Sequence, residues 1–194
     1  VRADASFRER LKREFGSEIT FWGGTVDPQK TLARGTPQAM DNFEMLAIAR
    51  GLDDAAFRAT PHAYTIINTN SPRQLDIPMA QGLIDFARAG QMSIVTPFTL
   101  MGAMAPITVA GAMTLSHAEA LAAITLNQLS RPGAPVLYGG FATNLDMRSG
   151  APAFGTPEYT RAAWATGQLT RRYKIPFRSS NTNAANCVDA QAAW

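Results

Sequence analysis

The sequence predicts an α/β fold, specifically a TIM-type (β/α)8 barrel of which this chain supplies about half, about four βα units. Three observations predict it. From residue 63 onward, strand patterns alternate with helix patterns over short connections, which is typical of parallel strands joined by right-handed crossovers. The strand segments are apolar throughout, as in sheets that are covered on both faces. The first strand is followed by Asn-Thr-Asn-Ser-Pro and not by the glycine-rich turn of an open doubly wound sheet, which favours the barrel.

Residues 1–62 are predicted to form an N-terminal region of helices and loops ahead of the partial barrel, residues 63–194. A first helix, Asp4–Phe15, places Phe7, Leu11 and Phe15 on one face. Several Gly and Pro residues then interrupt the pattern. A second helix, Pro37–Arg50, is followed by Gly51 at the position of a C-terminal cap. This region carries no catalytic pattern.

Turn and cap residues mark the ends of the elements in the barrel region. Gly90 and Pro132–Gly133 follow two of the predicted helices, and Pro157 stands in the first turn of another, where its missing N–H costs nothing. The predicted strands are Ala63–Thr69, Met92–Pro97, Pro135–Phe141 and Ile175–Ser179. The predicted helices are Leu75–Ala89, Val109–Arg131, Pro157–Tyr173 and one that starts at Ala184. A complete barrel needs about 250 residues, so these units account for about half of one.

Composition excludes several classes of protein. With 194 residues and 46% hydrophobic side chains, the chain is too apolar to be disordered. The net charge is only +3 and the basic residues are scattered, so we expect no nucleic-acid partner. A single cysteine, Cys187, excludes an internal disulfide framework and suits the reducing cytoplasm. The longest apolar stretch, Pro106–Leu115, is too short to span a membrane, so we expect no membrane partner.

The loops that follow the strands are where a barrel builds its active site, and here they are rich in amides, hydroxyls and aromatic rings. Amides and hydroxyls orient a ligand by hydrogen bonding, and aromatic faces attract a quaternary ammonium. The candidate substrate-binding residues are Asn68, Asn70, Thr96, Phe98, Tyr138, Gly140, Phe141, Asn144, Asp146, Ser180 and Asn183.

Each candidate also has a structural explanation, and the residues alone leave both open. The Asn and Ser side chains serve equally as turn and cap residues, and the aromatic rings serve equally as core. Asp146 is either a base or counter-charge, or the cap of the loop 144–149. His117 is expected to be a packed or surface residue of its helix.

The residues identify no catalytic group. None of the three lysines follows a strand, since Lys12 and Lys30 lie in the N-terminal region and Lys174 directly precedes the fourth strand, which disfavours a Schiff-base aldolase. No His, Asp and Glu group has metal-ligand spacing, so we expect no metal site.

Four segments carry a family resemblance. They are INTNSPRQLD (67–76), ITVAGAMTLSHAEALAAITLNQLSRPGAPVLYGGF (107–141), NLDMRSGAPAFGTPEY (144–159) and SSNTNAANCVDAQAAW (179–194). Over more than half of its length the chain resembles the trimethylamine methyltransferase (MttB-like) family of corrinoid-dependent enzymes. The resemblance implies a TIM barrel about twice as long. It also implies transfer of a methyl group from a methylated amine to the cobalt of a corrinoid (cobalamin) carried by a partner protein, with no metal bound by this chain.

One departure points to a branch of that family. Members that act on trimethylamine carry pyrrolysine and have a Thr/Ser-Asp-Ser-Lys-like stretch before an Asp-x-Gln motif. Here Asn-Ala-Ala-Asn-Cys-Val precedes Asp189 and Gln191. The resemblance therefore implies the branch without pyrrolysine, associated with quaternary amines such as glycine betaine.

The expected partners are a corrinoid protein, a small methylated amine and further copies of the chain in a homo-oligomer. Two alternatives remain open. One is another barrel enzyme, such as a lyase or aldolase, which the scarcity of lysine and metal ligands disfavours. The other is a truncated or non-catalytic barrel segment that binds a methylamine or a partner without turnover.

Overall fold

A computed structural model describes residues 36–179. The helices are α1 (Thr36–Arg50), α2 (Asp54–Ala59), α3 (Ile77–Arg88), α4 (Val109–Ser130) and α5 (Pro157–Tyr173). The strands are β1 (Tyr64–Ile67), β2 (Met92–Val95), β3 (Thr99–Met101), β4 (Val136–Gly140), β5 (Ala142–Asn144) and β6 (Phe177–Ser179). The predicted helices at Asp4–Phe15 and from Ala184 lie outside the described residues.

The larger sheet has the strand order β1-β2-β4-β6, and helices α3, α4 and α5 lie between successive strands along the chain. The N–H of Met92 donates to the carbonyl of Ala63, and that of Ser93 donates to the carbonyl of Pro135. The start of each strand therefore lies beside the start of its neighbour, which makes the strands parallel. β4 and β6 are likewise parallel, with Tyr138 opposite Phe177. The predicted α/β class with parallel strands is confirmed.

A second, two-stranded sheet pairs β3 with β5 in parallel, with Thr99 opposite Ala142 and Met101 opposite Asn144. Its two strands come from the segments that follow β2 and β4. The sequence predicts loops here. A strand is recognised by the alternation of apolar and polar residues, and three residues are too few to show it. Helix α2 was missed because its six residues make fewer than two turns, too few to show a helical period, although Asp53 caps it by accepting from the N–H of Ala56 at 2.7 Å.

The glycine cap predicted at Gly51 is confirmed, and Gly90, predicted as the end of a helix, has the same geometry. Gly51 follows α1 with φ +66°, and its N–H donates to the carbonyl of Ile48. Gly90 lies beyond α3 with φ +72°, and its N–H donates to the carbonyl of Ala87. Both backbones adopt the left-handed conformation that only glycine reaches without steric cost.

The described chain divides into two units. The first comprises residues 36–67, 77–94 and 125–136. The ring of Phe43 in α1 contacts the rings of Phe57 and Phe86, with centroids 5.8 and 4.7 Å away. The buried side chain of Gln91 accepts from the N–H of His62 and of Ala63 and donates to backbone carbonyls, which fixes the entry to β1.

The second unit comprises residues 68–76, 95–124 and 137–179. Its core is built from small and flexible side chains: Met101, Ala112, Met113, Ala142 and Ala162. These residues lie on β3, β5, α4 and α5, so the small sheet and two helices share one apolar interior. This unit contains the segments that follow β1, β2 and β4.

Helix α4 corrects one expectation. By length and composition it is long and apolar enough to cross a membrane, and it is the one such helix among residues 36–179. Buried core helices meet the same criterion of length and composition, so this finding alone does not identify a membrane-spanning helix. The apolar helix extends beyond Pro106–Leu115 because Ser, Thr and His interrupt it without adding charge, and Glu119 is its one charged residue.

Candidate functional site

Nine of the eleven predicted site residues are described, and all nine belong to the second unit. They are Asn68, Asn70, Thr96, Phe98, Tyr138, Gly140, Phe141, Asn144 and Asp146. Ser180 and Asn183 lie outside the described residues. Because parallel strands end at the same edge of a sheet, the segments after β1, β2 and β4 emerge on one side.

An aromatic row joins two of these segments. The register of the small sheet places Phe98 and Phe141, the residues before β3 and β5, beside each other. Their rings stack with centroids 4.7 Å apart and planes 13° apart. Phe154 meets Phe141 edge-on at 5.7 Å, and Tyr159 meets Phe154 edge-on at 6.1 Å. We call Phe98, Phe141, Phe154 and Tyr159 the aromatic row.

The aromatic row is partly open. Phe98 and Phe141 are half-buried and Phe154 is 47% exposed, whereas Tyr159 is buried. Rings that are held edge-on or stacked, yet still reach solvent, present π faces at a fixed position. Such faces attract a quaternary ammonium group.

Tyr138 does not join this row. Its side chain is 1% exposed, and its ring stacks on the imidazole of His117 in helix α4, with centroids 5.7 Å apart. Burial raises the pKa of the Tyr138 hydroxyl well above its usual value of 10, and the negative charge of Glu119 adds to this, while a hydrogen bond from Ser116 opposes it. The hydroxyl therefore stays protonated and packs among helix residues.

The segment after β1 holds Asn68 and Asn70. Asn68 is half-buried and Asn70 is exposed. The Asn70 amide oxygen accepts from the N–H of Asp76 at 3.1 Å, and the Asn70 N–H donates to the carbonyl of Gln74 at 2.7 Å. Asn70 thus shapes the turn, and its amide nitrogen makes neither of these two bonds.

Thr96 follows β2 and is buried, as is Thr99 at the start of β3. Within residues 36–179, neither hydroxyl finds a hydrogen-bond partner. Leaving a buried hydroxyl unpaired costs about 1–3 kcal/mol. A hydrogen bond to either hydroxyl, from a ligand or from a chain segment outside residues 36–179, would remove this cost.

Asn144, at the end of β5, is committed to local structure. Its amide oxygen accepts from the hydroxyl of Thr156 at 2.6 Å, and its carbonyl accepts from the N–H of Ala153 at 2.8 Å. The same Thr156 hydroxyl caps helix α5 by accepting from the N–H of Tyr159. Asn144 therefore fixes the start of α5 and, through it, the base of the aromatic row.

Asp146 caps a turn, the structural alternative considered for it. Its exposed carboxylate accepts from the hydroxyl of Ser149 at 2.6 Å and from the N–H of Arg148 at 3.1 Å. The Ser149 bond, followed by the Arg148 bond, lowers the pKa of Asp146 below its usual value. A carboxylate held in its charged form in this way is a poor general base near neutral pH.

Gly140, the last residue of β4, makes room for an aromatic ring. A Cβ atom on Gly140 would lie 3.0 Å from the Cε2 atom of Phe177 and 3.4 Å from the Thr166 methyl group. A Cβ on Gly167 in α5 would lie 3.4 Å from the same ring. The two glycines form a slot for Phe177, so Gly140 acts through packing.

Four residues of this unit that shape the site were not predicted from the sequence. Phe154, Thr156 and Tyr159 lie in the segment quoted for the family resemblance, and Thr-Pro-Glu at 156–158 is the pattern of a capped helix start. Glu119 is the one acidic residue of the otherwise uncharged helix α4, which is a signal in itself. Among residues 36–179, no group of three His, Cys, Asp or Glu side chains is placed to hold a metal ion.

The sequence of this chain is similar to those of one family of known proteins. The family model for trimethylamine methyltransferase (MTTB) matches residues 25–194. A glycine betaine methyltransferase of Desulfitobacterium hafniense strain Y51 is 37% identical over 163 residues, covering 84% of this chain and 34% of the relative. The trimethylamine methyltransferase MttB1 of Methanosarcina mazei is 32% identical over 143 residues, covering 73% and 29%. The chain spans about a third of the length of the curated relatives it matches.

Proposed function

This chain belongs to the trimethylamine methyltransferase family, and from that premise we propose that it is part of an enzyme that demethylates a quaternary amine. The methyl donor is a betaine such as glycine betaine, and the acceptor is the cobalt of a corrinoid carried by a partner protein. The four-stranded parallel sheet is part of a (β/α)8 barrel whose other strands lie in the remaining length of the protein. The enzyme acts in the cytoplasm, as a homo-oligomer.

The aromatic row is the observation that carries the proposal. Phe98, Phe141 and Phe154 lie on segments that follow parallel strands, where barrel enzymes bind their substrates. A quaternary ammonium offers no N–H to donate, so hydrogen-bond acceptors alone do not recognise it. Aromatic faces do, at about 0.5–2 kcal/mol per contact depending on desolvation.

The chemistry of such a substrate needs no catalytic acid or base, and none is identified among residues 36–179. A quaternary nitrogen has no lone pair to protonate and is already activated as a leaving group. When the reduced cobalt attacks the methyl carbon, the C–N bond breaks and its electron pair leaves with the tertiary amine. The rate of such an in-line transfer depends mainly on how the methyl group is positioned.

Two sequence observations support a quaternary amine over trimethylamine. Identity to the glycine betaine methyltransferase is 37%, against 32% to the trimethylamine methyltransferase MttB1. The residues before Asp189 also depart from the pattern of pyrrolysine-containing members, and the printed sequence contains no such residue.

The direct test uses the full-length protein that contains this chain. It is incubated with reduced cobalamin and, separately, with glycine betaine, other betaines and trimethylamine, and methylation is followed by the cobalt absorbance. We expect methylation with a betaine and none with trimethylamine. Methylation with trimethylamine alone would overturn the quaternary-amine proposal.

The role of the aromatic row is tested with Phe141→Ala, with Trp164→Ala as the matched control. Trp164 is an aromatic residue of α5 that is 74% exposed and outside the row. Phe141→Ala should weaken binding of glycine betaine by about 2- to 30-fold. The loss should be smaller for 3,3-dimethylbutanoate, in which carbon replaces the nitrogen. Equal losses for both ligands would make the row a packing feature.

The length of the chain favours one second candidate, a barrel segment that binds a methylamine or a partner without turnover. The chain spans about a third of its curated relatives, and this leaves the rest of a barrel to be supplied. Binding of glycine betaine by the full-length protein without methylation of cobalamin or of a co-purified corrinoid protein would select this candidate.

A further inference from the structure

We infer that Glu119 is a positioning residue of the substrate site: its buried carboxylate holds the segment 68–76 in the shape that presents Asn68 and Asn70. The substrate half of this inference rests on the proposed function. Sequence spacing does not reveal it, because Glu119 lies in the middle of helix α4, far along the chain from the segment it holds.

Three donors from the segment 68–76 converge on one carboxylate. The hydroxyls of Thr69 and Ser71 donate to Glu119 Oε2 at 2.5 and 2.7 Å, and the N–H of Arg73 donates to Oε1 at 2.6 Å. Arg73 has φ +58°, the left-handed backbone conformation found in tight turns. Hydrogen bonds to a charged group are about twice as strong as those between neutral groups.

The carboxylate of Glu119 is buried, and the described part of the chain provides no cationic partner for it. Glu119 is 6% exposed, and among residues 36–179 no Lys, Arg or His forms an ion pair with it. A buried carboxylate is tolerated only when hydrogen bonds replace its hydration. Displacement of the segment would leave the buried carboxylate without these hydrogen bonds. Because that is costly in free energy, the carboxylate holds the segment in place.

The donors also flank the predicted substrate amides. Thr69 and Ser71 are the buried side chains of the segment, while Asn68 is half-buried and Asn70 is exposed. Asn68 precedes one anchored residue, and Asn70 lies between the two. Fixing Thr69 and Ser71 thus fixes the backbone that carries the Asn68 and Asn70 side chains. Glu119 itself does not contact the substrate in this role.

The variant that probes this role is Glu119→Gln in the full-length protein. Glutamine keeps the volume and offers one oxygen to the two hydroxyls, but its amide nitrogen does not accept from the N–H of Arg73. We expect amide hydrogen exchange to accelerate in a peptide covering residues 68–76. We also expect kcat/KM for glycine betaine to fall about tenfold, since misplaced contacts are costly in positioning-dependent reactions.

Two further variants separate positioning from a general loss of stability. Glu44→Gln removes an exposed carboxylate of α1 and should change neither measurement. Ser71→Ala removes one donor and leaves Glu119 in place, so it should reproduce part of the loss. The double variant Glu119→Gln/Ser71→Ala should lose less than the sum of the single effects, because both changes break the same bond.

The outcomes are distinguishable. Unchanged exchange in residues 68–76 overturns the inference, whatever the activity. Faster exchange with an unchanged kcat/KM reduces Glu119 to a structural anchor and also overturns it. If Glu119→Gln does not fold, the same decision rests on Ser71→Ala. If the unmodified protein methylates no cobalamin, the proposed function fails, and betaine affinity in place of kcat/KM then decides the role of Glu119.

Discussion

The imidazole of His117 lies flat on the ring of Tyr138, with their planes 12° apart and 3.3 Å between Nδ1 and the phenolic oxygen. The ring of Tyr173 also lies beside the imidazole, with centroids 5.2 Å apart. A ring that is 1% exposed and covered by an imidazole has no free face for a cation. Sequence position alone suggested that Tyr138 encloses the substrate, and these contacts instead assign it to the packing of helix α4.

The first prediction concerns Tyr138→Phe. The substitution keeps the ring stack and removes the hydroxyl that bonds to Ser116 and His117, so stability should fall by about 1 kcal/mol. Affinity for glycine betaine should not change, because the ring does not reach the aromatic row. Denaturant unfolding and titration calorimetry on the full-length protein measure the two effects. A loss of affinity without a loss of stability would return Tyr138 to the substrate site.

The second prediction is a dependence of stability on pH through His117. Burial lowers the pKa of His117 from its usual value of 6.5, and its Nε2 atom has no partner within residues 36–179. The unfolded chain therefore binds a proton more readily than the folded one. The stabilisation from neutral His117 is complete above pH 6.5 and is lost as the pH falls from 6.5 towards the lowered pKa.

The matched variant for this effect is His117→Phe, which keeps an aromatic ring in the stack and cannot titrate. The free energy of unfolding should depend less on pH below 6.5 in this variant than in the unmodified protein. His62 has a lowered pKa for the same main reason and remains in both proteins, so it cancels in the comparison. Identical pH profiles would show that the pKa of His117 is the same in the folded and the unfolded chain, which would contradict the prediction.

Local signals in the sequence predicted the elements that carry their own start and stop residues. Helix α5 was predicted at both ends, Pro157 and Tyr173, since Pro157 marks its first turn. Strands β3 and β5 were missed, because their pairing depends on contacts and not on alternation. The positions of Phe98 and Phe141 at strand ends were predicted, but their stacking follows from the register of that missed sheet. The bonds of Glu119 join distant parts of the chain, and no spacing encodes them.

The third prediction compares two glycines that face the same ring. Gly140→Ala would place a methyl group 3.0 Å from Phe177, and overpacking of this kind costs about 1–3 kcal/mol. Gly167→Ala would place it at an ordinary 3.4 Å inside helix α5, where alanine is favoured over glycine by about 1 kcal/mol. Gly140→Ala should therefore lower the midpoint of denaturant unfolding, and Gly167→Ala should not. The reverse order would show that Phe177 does not fill this slot.

The last prediction decides between the two roles considered for Asp146. If the carboxylate only caps the turn 146–149, binding of glycine betaine should not change in Asp146→Asn. The single amide oxygen of asparagine still accepts from the N–H of Arg148, and its amide nitrogen donates to the hydroxyl oxygen of Ser149 in place of the bond that this hydroxyl donates to the carboxylate. If the carboxylate balances the charge of the substrate, the same variant should weaken glycine betaine more than 3,3-dimethylbutanoate, which lacks the positive nitrogen. We expect the first result, because the carboxylate is exposed and Ser149 already stabilises its charge.

Ser149→Ala supplies the control, since it should raise the lowered pKa of Asp146 towards its usual value while leaving the carboxylate in place. Titration calorimetry with both ligands, and an NMR titration of the carboxyl carbon, measure these effects. A selective loss of betaine affinity in Asp146→Asn would restore the carboxylate to the substrate site.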